Sequence, residues 1–147
     1  MRAVVQRVSS ASVTIGDREV ARIGIGLALL VGIHRDDDET DVVKMADRIK
    51  GMRIFNDAAG KINLNLEAVG GSVLAVSNFT VYGDSSQRRP NFTLSSGFEK
   101  GEMLFGKLVE RLREARVHVE TGEFGADMQV NIVNDGPVTL VVDTRAT

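Results

Sequence analysis

The end of an apolar run in the middle of the chain carries the polar side chains best placed to do chemistry. Residues 72–76 are mostly apolar, and they are followed by Ser77, Asn78, Phe79 and Thr80. Polar groups on loops that follow rigid elements are a common location for binding and catalytic sites. A threonine acts as a nucleophile only when a base activates it, and no base is adjacent here. From the residues alone, this stretch is either a site or a plain polar strand end.

Several other kinds of chemistry lack the residues they require. The chain has no cysteine and only two histidines, His34 and His118. No Ser-His-Asp triad and no zinc ligand set can be assembled from their spacing. The aspartates at 36–38 could be read as metal ligands, but Asp36 and Glu39 have the spacing of a helix capping box. We therefore predict a solvated helix start there, no metal site and no cofactor.

A second notable stretch lies near the end of the chain, at residues 134–139, and reads Asn-Asp-Gly-Pro-Val-Thr. It separates two β-branched runs, 130–133 and 138–142. One interpretation is a hairpin turn between two strands. The other is a Gly136–Pro137 segment that presents main-chain atoms to a ligand, because an X–Pro bond adopts the cis form at a cost of only about 0.5–1 kcal/mol.

The periodicity of the remaining chain predicts the elements that position these stretches. Hydrophobic residues make up 43% and charged residues 26%, which is typical of one folded domain covering residues 1–147. About eight short strands are indicated, including separate strands at 1–9 and 11–15. One helix follows residue 39, and a second opens at a capping box formed by Ser96 and Glu99. Two consecutive βαβ units are not visible. The predicted fold is α+β: a curled, mostly antiparallel β-sheet, or partial barrel, with two helices packed on it.

Charge and hydropathy limit the partners. The net charge of −2 argues against extended contacts with RNA or DNA, which need a positive face. It leaves open a local basic patch that binds a short terminal segment of a nucleic acid, and Arg88 and Arg89 are candidates for that patch. The longest apolar run, 23–33, is interrupted by glycines and is far shorter than the roughly 20 residues of a membrane span. With no cysteine and no signal peptide, we expect a cytoplasmic protein with no membrane partner.

The two stretches together resemble the paired motifs of the D-aminoacyl-tRNA deacylases. That family usually has S-Q-F-T-L where this chain has Ser77 to Val81, and N-x-G-P-V-T where it has Asn134 to Thr139. Segments 6–8, 53–55, 89–92 and 124–128 also resemble family segments, in the expected order. The resemblance covers essentially the whole chain.

The resemblance implies an editing hydrolase that cleaves the ester of D-aminoacyl-tRNA at its 3′ end. It implies a homodimer in which Gly136 and Pro137 of one subunit enter the pocket of the other. Their main-chain carbonyls would fill the space that an L side chain needs, which rejects one enantiomer and tolerates many D side chains. Mischarged glycyl-tRNA, which has no side chain to reject, would also be cleaved.

The resemblance also implies roles for individual residues. Ser77, Phe79 and Thr80 would be catalytic, with backbone N–H groups near Phe79 and Thr80 stabilising the oxyanion. Of the two roles that the resemblance allows for Thr80, we rank positioning of the substrate above that of a nucleophile. The ribose 2′-hydroxyl of the substrate would assist the chemistry. Arg7 would brace the Gly-Pro loop. Asn78 and Phe92 would contact substrate.

This chain departs from the family pattern at two positions. Asn78 replaces the usual glutamine and is one methylene shorter, and Val81 replaces leucine, a modest packing change. Two competing hypotheses remain. One is a non-catalytic α+β oligomer that binds a small molecule, with Gly136–Pro137 as a hairpin turn. The other is an esterase that uses Thr80 as a side-chain nucleophile.

Overall fold

A computed structural model describes residues 1–145, and their arrangement belongs to the predicted α+β class. The strands are β1 (Arg2–Ile15), β2 (Arg18–Ile23), β3 (Gly26–Gly32), β4 (Phe55–Asn56), β5 (Ile62–Leu64), β6 (Ser72–Ser77), β7 (Val119–Thr121) and β8 (Gln129–Asp143). The helices are α1 (Glu39–Gly51), α2 (Leu66–Val69) and α3 (Phe98–Glu114), with a 3-10 helix at Phe79–Tyr82.

The prediction of a mostly antiparallel sheet carrying two helices is wrong. The main sheet has the order β2-β1-β3-β6-β7, with β8 paired to β1, and it is mixed. β1 is antiparallel to β2, β3 and β8, whereas β3–β6 and β6–β7 are parallel. The sheet curls into a nearly closed barrel in which β2 contacts β6 and β7.

The errors have identifiable causes. Parallel neighbours require a crossover connection, and α1 and α3 lie in the two crossovers that join β3 to β6 and β6 to β7. Helical periodicity in the sequence shows that a helix exists, but it does not show which strands the helix connects. The third helix, α2, has only four residues, which is too short for a periodic pattern.

The first strand is longer than the sequence indicates. β1 runs unbroken through residue 15, so the separate strands predicted at 1–9 and 11–15 are one. Along one edge, its first half pairs with β3 and its second half with β2. Along the other edge, β8 pairs with it over almost its whole length. This strand therefore organises the sheet.

Two apolar clusters hold the sheet in place. The larger cluster joins α1 and α3 to one face of β1, β3 and β6, and the smaller one lies on the opposite face. β3 contributes to both, with Leu27 and Leu29 in the first and Ala28 in the second. A strand that is covered on both faces was expected from its continuous apolar run, and this expectation is confirmed.

The helix starts differ from the predicted capping boxes. α1 is capped by Asp38 together with Asp41, not by Asp36 with Glu39. Asp37 is buried and accepts a hydrogen bond from the Met1 ammonium at 2.7 Å. α3 follows Gly97, which provides no side-chain cap. No helix within residues 1–145 is long and apolar enough to cross a membrane.

Candidate active site

A cavity of about 550 Å³ lies at the end of β6. It is bounded by the 3-10 helix, the start of α3 and the segment that leads into β8. Its wall is mostly apolar and includes three phenylalanines, with a few polar side chains. The polar members are Ser77, Asn78, Ser96 and Asp127, and the aromatic members are Phe79, Phe98 and Phe124. Such a cavity has the size and lining typical of a small-molecule site.

The polar end of β6 turns directly into the cavity wall. Asn78 leaves the strand with its N–H donating to the Val31 carbonyl of β3 at 2.8 Å. Its side-chain oxygen then accepts from the backbone N–H of Thr80 at 3.1 Å and from the Thr80 hydroxyl. Asn78 is therefore the N-cap of the 3-10 helix. Asparagine is a preferred N-cap because its short side chain reaches the second N–H of the helix.

This cap decides which backbone donors remain available. The N–H of Thr80 is occupied by Asn78. The N–H of Phe79, the first residue of the 3-10 helix, has no hydrogen-bond partner within residues 1–145. The first N–H groups of a helix have no intrahelical acceptor and suit negatively charged groups. The Phe79 N–H is therefore open to an acceptor from outside the described chain.

The loop after the 3-10 helix supports Phe79 from the outside. Ser95 Oγ donates to the Phe79 carbonyl at 2.8 Å. The ring of Phe92 packs edge-on against that of Phe79, with their centroids 5.2 Å apart. The structure thus brings Phe92 next to the strand-end residues, although Phe92 does not line the cavity. Ser77 lines the cavity, and its hydroxyl makes no hydrogen bond to another group in the described chain.

The Gly136–Pro137 stretch is not a hairpin turn. Both arms of β8 pair with β1: Asn134 is opposite Val8 and Thr139 is opposite Gln6. The segment 135–138 therefore loops out of a single strand, and the hairpin interpretation is wrong. The Gly136–Pro137 peptide bond is cis.

Gly136 is required by the shape of this loop. Its φ is +123°, a conformation that L side chains rarely adopt. A Cβ at this position would lie 2.9 Å from Arg7 Nη2 and 3.0 Å from the Val138 backbone nitrogen. Both Gly136 and Pro137 are exposed.

Arg7 joins this loop to the small sheet of β4 and β5. It is only 6% exposed. Its Nε donates to the Asp135 carbonyl at 3.1 Å, and its Nη1 donates to the Ile54 carbonyl at 2.9 Å and to Asn56 Oδ1 at 3.2 Å. The Asp135 carboxylate lies 3.4 Å from Nε. A buried guanidinium is stabilised only when its donors are satisfied in this way.

The predicted residues thus form two groups within one chain. Ser77, Asn78 and Phe79 line the cavity, with Thr80 bonded to Asn78. Gly136, Pro137 and Arg7 do not line it. The loop instead stands on the exposed side of β8, which pairs with β1 alone.

Some contributors to the cavity were not predicted from the sequence. Phe98 and Phe124 pack edge-on with centroids 5.0 Å apart, and Ser96 and Asp127 complete the polar part of the wall. The only available signal was the resemblance of residues 124–128 to a family segment. A contact between the start of α3 and a loop beyond its end leaves no periodic trace in the sequence.

Comparison with known proteins finds relatives along almost the whole chain. The family model described as D-Tyr-tRNA(Tyr) deacylase matches residues 4–143. A D-aminoacyl-tRNA deacylase of Symbiobacterium thermophilum is 48% identical over 100% of this chain and 98% of its own length. The corresponding protein of Thermotoga petrophila is also 48% identical, over 98% of this chain and 97% of its own. The chain therefore belongs to the D-Tyr-tRNA(Tyr) deacylase family, and the predicted resemblance is confirmed, as is the prediction of an enzyme.

Two solved structures share the fold. One, named "c-Myc DNA Unwinding Element Binding Protein", superposes with a TM-score of 0.94 at 36% identity and covers 99% of this chain and 100% of its own. The other, described as a probable eukaryotic D-amino acid tRNA deacylase, has a TM-score of 0.82 at 16% identity, with 96% and 97% covered. The second shows likeness of fold alone.

Proposed function

We propose that residues 1–147 act as one deacylase domain that hydrolyses the ester between a D-amino acid and the 3′-terminal adenosine of tRNA. The products are the free D-amino acid and tRNA. The observation that carries the proposal is the strand-end cavity, in which the N–H of Phe79 is free while that of Thr80 is held by Asn78. Such a protein would work in the cytoplasm, where charged tRNA is found.

The cavity suits an ester attached to a nucleoside. The rings of Phe79, Phe98 and Phe124 offer aromatic faces and edges against which an adenine can stack. Attack of water on the ester carbonyl develops a negative charge on its oxygen, and a fixed donor such as the Phe79 N–H stabilises that charge. Removal of one donor of this kind typically costs about 10²–10³-fold in kcat.

The cavity wall offers little side-chain acid–base chemistry. Among the described lining residues, Asp127 is the one with a titratable side chain, and it is exposed. The Thr80 hydroxyl is directed at an amide oxygen, which is not a base. The resemblance assigns the missing assistance to the ribose 2′-hydroxyl of the substrate. Thr80 then orients the 3-10 helix and is not itself the nucleophile.

Chiral selection would come from a second copy of the chain. Gly136 and Pro137 are exposed and outside the cavity of their own chain, so they are free to enter another. The loop is braced by the buried Arg7, which makes its carbonyls a rigid wall. An L side chain would meet that wall, whereas a D side chain points away from it. Glycine carries no side chain, so mischarged glycyl-tRNA would also be cleaved.

The outer edge of β8 would form the homodimer contact. Edge strands with free backbone groups readily pair with another chain, and this edge carries the exposed apolar residues Val133, Leu140 and Val141. Leu140→Glu should therefore yield a monomer by sedimentation velocity and lower the preference for D-aminoacyl-tRNA. Met103→Glu is the control, because Met103 is also an exposed apolar residue (52%, against 41% for Leu140) but lies on α3. A dimeric Leu140→Glu protein would contradict the proposed interface.

The decisive test of function compares enantiomers. Purified protein should deacylate D-Tyr-tRNA and spare L-Tyr-tRNA. Cleavage of both substrates at equal rates would refute the proposed chiral selection, and cleavage of neither would favour the hypothesis of a non-catalytic oligomer. DNA binding is the role named for one structural relative, so duplex DNA belongs in the assay as a competitor. The net charge of −2 predicts that it does not compete.

A further inference from the structure

The side-chain amide of Asn134 replaces the strand pairing that β8 loses beside the Gly136–Pro137 segment. Its Nδ2 donates to the carbonyl of Arg7 on β1 at 3.0 Å. The same nitrogen donates to the carbonyl of Val138, on the far side of the loop, also at 3.0 Å. A primary amide has two N–H groups, so one side chain makes both bonds at once.

These bonds are needed because the ladder is interrupted here. In a regular antiparallel pair, carbonyls of one strand accept from N–H groups of the other. Between the pairs Val8–Asn134 and Gln6–Thr139, Arg7 alone stands opposite the segment 135–138. Its carbonyl would lack a strand partner, and the Asn134 amide supplies one. The amide thereby closes the base of the loop.

A second set of contacts fixes the orientation of this amide. The Thr139 hydroxyl donates to Asn134 Oδ1 at 3.3 Å, and Gln6 Nε2 donates to the Thr139 hydroxyl at 3.4 Å. The oxygen of Asn134 is therefore directed at Thr139 and its nitrogen at the two carbonyls. Arg7 grips the opposite part of the loop through the Asp135 carbonyl. Two different side chains therefore hold the loop: Asn134 through the Arg7 and Val138 carbonyls, and Arg7 through the Asp135 carbonyl.

We propose that Asn134 is a positioning residue that sets where the main-chain carbonyls of Gly136 and Pro137 stand, and thereby how well D and L substrates are distinguished. The inference rests on the proposed function. Asn134 acts through the backbone of its own loop and does not line the cavity. Its loss should therefore change the discrimination between enantiomers more than the chemistry on the D substrate.

The test is Asn134→Asp, which keeps the size of the side chain but replaces both donors with an oxygen facing two carbonyls. Asn65→Asp is the control, because it makes the same charge change away from β8, and a carboxylate oxygen there can still accept from the Ala68 N–H as Asn65 Oδ1 does. Two measurements are made: the ratio of kcat/KM for D-Tyr-tRNA over L-Tyr-tRNA, and amide hydrogen exchange over residues 135–139. Loss of two hydrogen bonds should lower the ratio by about tenfold or more and speed exchange in the loop. The control should match the wild type in both.

An unchanged ratio and unchanged loop exchange in folded Asn134→Asp protein would overturn the proposal. If Asn134→Asp does not fold, Asn134→Ala, which adds no charge, decides by the same two measurements. Failure of both variants to fold would assign Asn134 a global structural role and would also overturn the proposal. If the wild type itself shows no preference for D substrate, the proposed function fails, and loop exchange alone then decides whether Asn134 holds the loop.

Discussion

The role of the Thr80 hydroxyl can be decided by a single isosteric substitution. Thr80→Val keeps the β-branched shape and the backbone N–H that bonds to Asn78, but it removes the hydroxyl. If the hydroxyl only stabilises the 3-10 helix, the loss is that of one neutral hydrogen bond, about 0.5–1.5 kcal/mol. At roughly 1.4 kcal/mol per factor of ten, kcat should fall by about two- to twelvefold.

The nucleophile hypothesis predicts a different magnitude. Removal of a true side-chain nucleophile costs on the order of 10⁶-fold in kcat. The assay is single-turnover deacylation of D-Tyr-tRNA labelled at its 3′ end, with enzyme in excess, so that the chemical step is measured directly. A loss greater than roughly a thousandfold, in protein of unchanged thermal stability, would refute the positioning argument.

The chain contains a matched control for this substitution. Thr93 donates its hydroxyl to Asn91 Oδ1 at 3.1 Å and its N–H to the same atom at 3.4 Å. This repeats the arrangement of Thr80 on Asn78, but outside the cavity wall. Thr93→Val therefore loses the same kind of bond and should leave kcat within about twofold of the wild type. A loss equal to that of Thr80→Val would show that the effect is general destabilisation of the loop.

Three further predictions follow from the geometry. Gly136→Ala must adopt a φ of +123° with Cβ contacts of 2.9 Å, so the free energy of unfolding measured in urea should fall by about 1–3 kcal/mol and the discrimination between enantiomers should weaken. An unchanged variant would contradict the claim that this position requires glycine. Arg88→Ala with Arg89→Ala should weaken tRNA binding equally for all sequences and reduce its salt dependence in filter-binding titrations, and an unchanged salt slope would exclude them from phosphate contact. Burial lowers the pKa of His34 below 6.5, so the unfolded state binds more protons and the free energy of unfolding should decrease as pH drops below about 6.5. His34→Asn, whose side-chain oxygen can still accept from the Asp36 N–H, should reduce that decrease in unfolding titrations at about pH 7.5 and pH 5. An equally large decrease in the variant would assign the pH dependence to other groups.

Local patterns in the sequence identified the elements that carry the candidate site. The apolar run of β6 and its abrupt polar end placed Ser77, Asn78 and Thr80 at a strand terminus. The continuous apolar run of β3 predicted a strand covered on both faces. These predictions succeed because they depend on side-chain periodicity within a few residues, which any local segment carries in full.

Cap and turn chemistry was ambiguous for the same reason. Asp36 with Glu39 and Asp38 with Asp41 have the same spacing, and only the second pair caps α1. The residues 134–139 have the composition of a hairpin turn, yet both flanking arms pair with β1, far away in the sequence. Local composition favours a turn or a cap without deciding what its flanks pair with.

The sequence by itself therefore determined most of the element types, the polar strand end, the Gly-Pro pair between two β-branched runs and the family to which the chain belongs. The tertiary structure alone decided the mixed strand order, the aromatic pair Phe98–Phe124 and the amide of Asn134 beneath the loop. Each of these depends on contacts between residues well separated along the chain. Such contacts are set by sheet register and crossover geometry, which depend on the packing of the whole core and on no single segment.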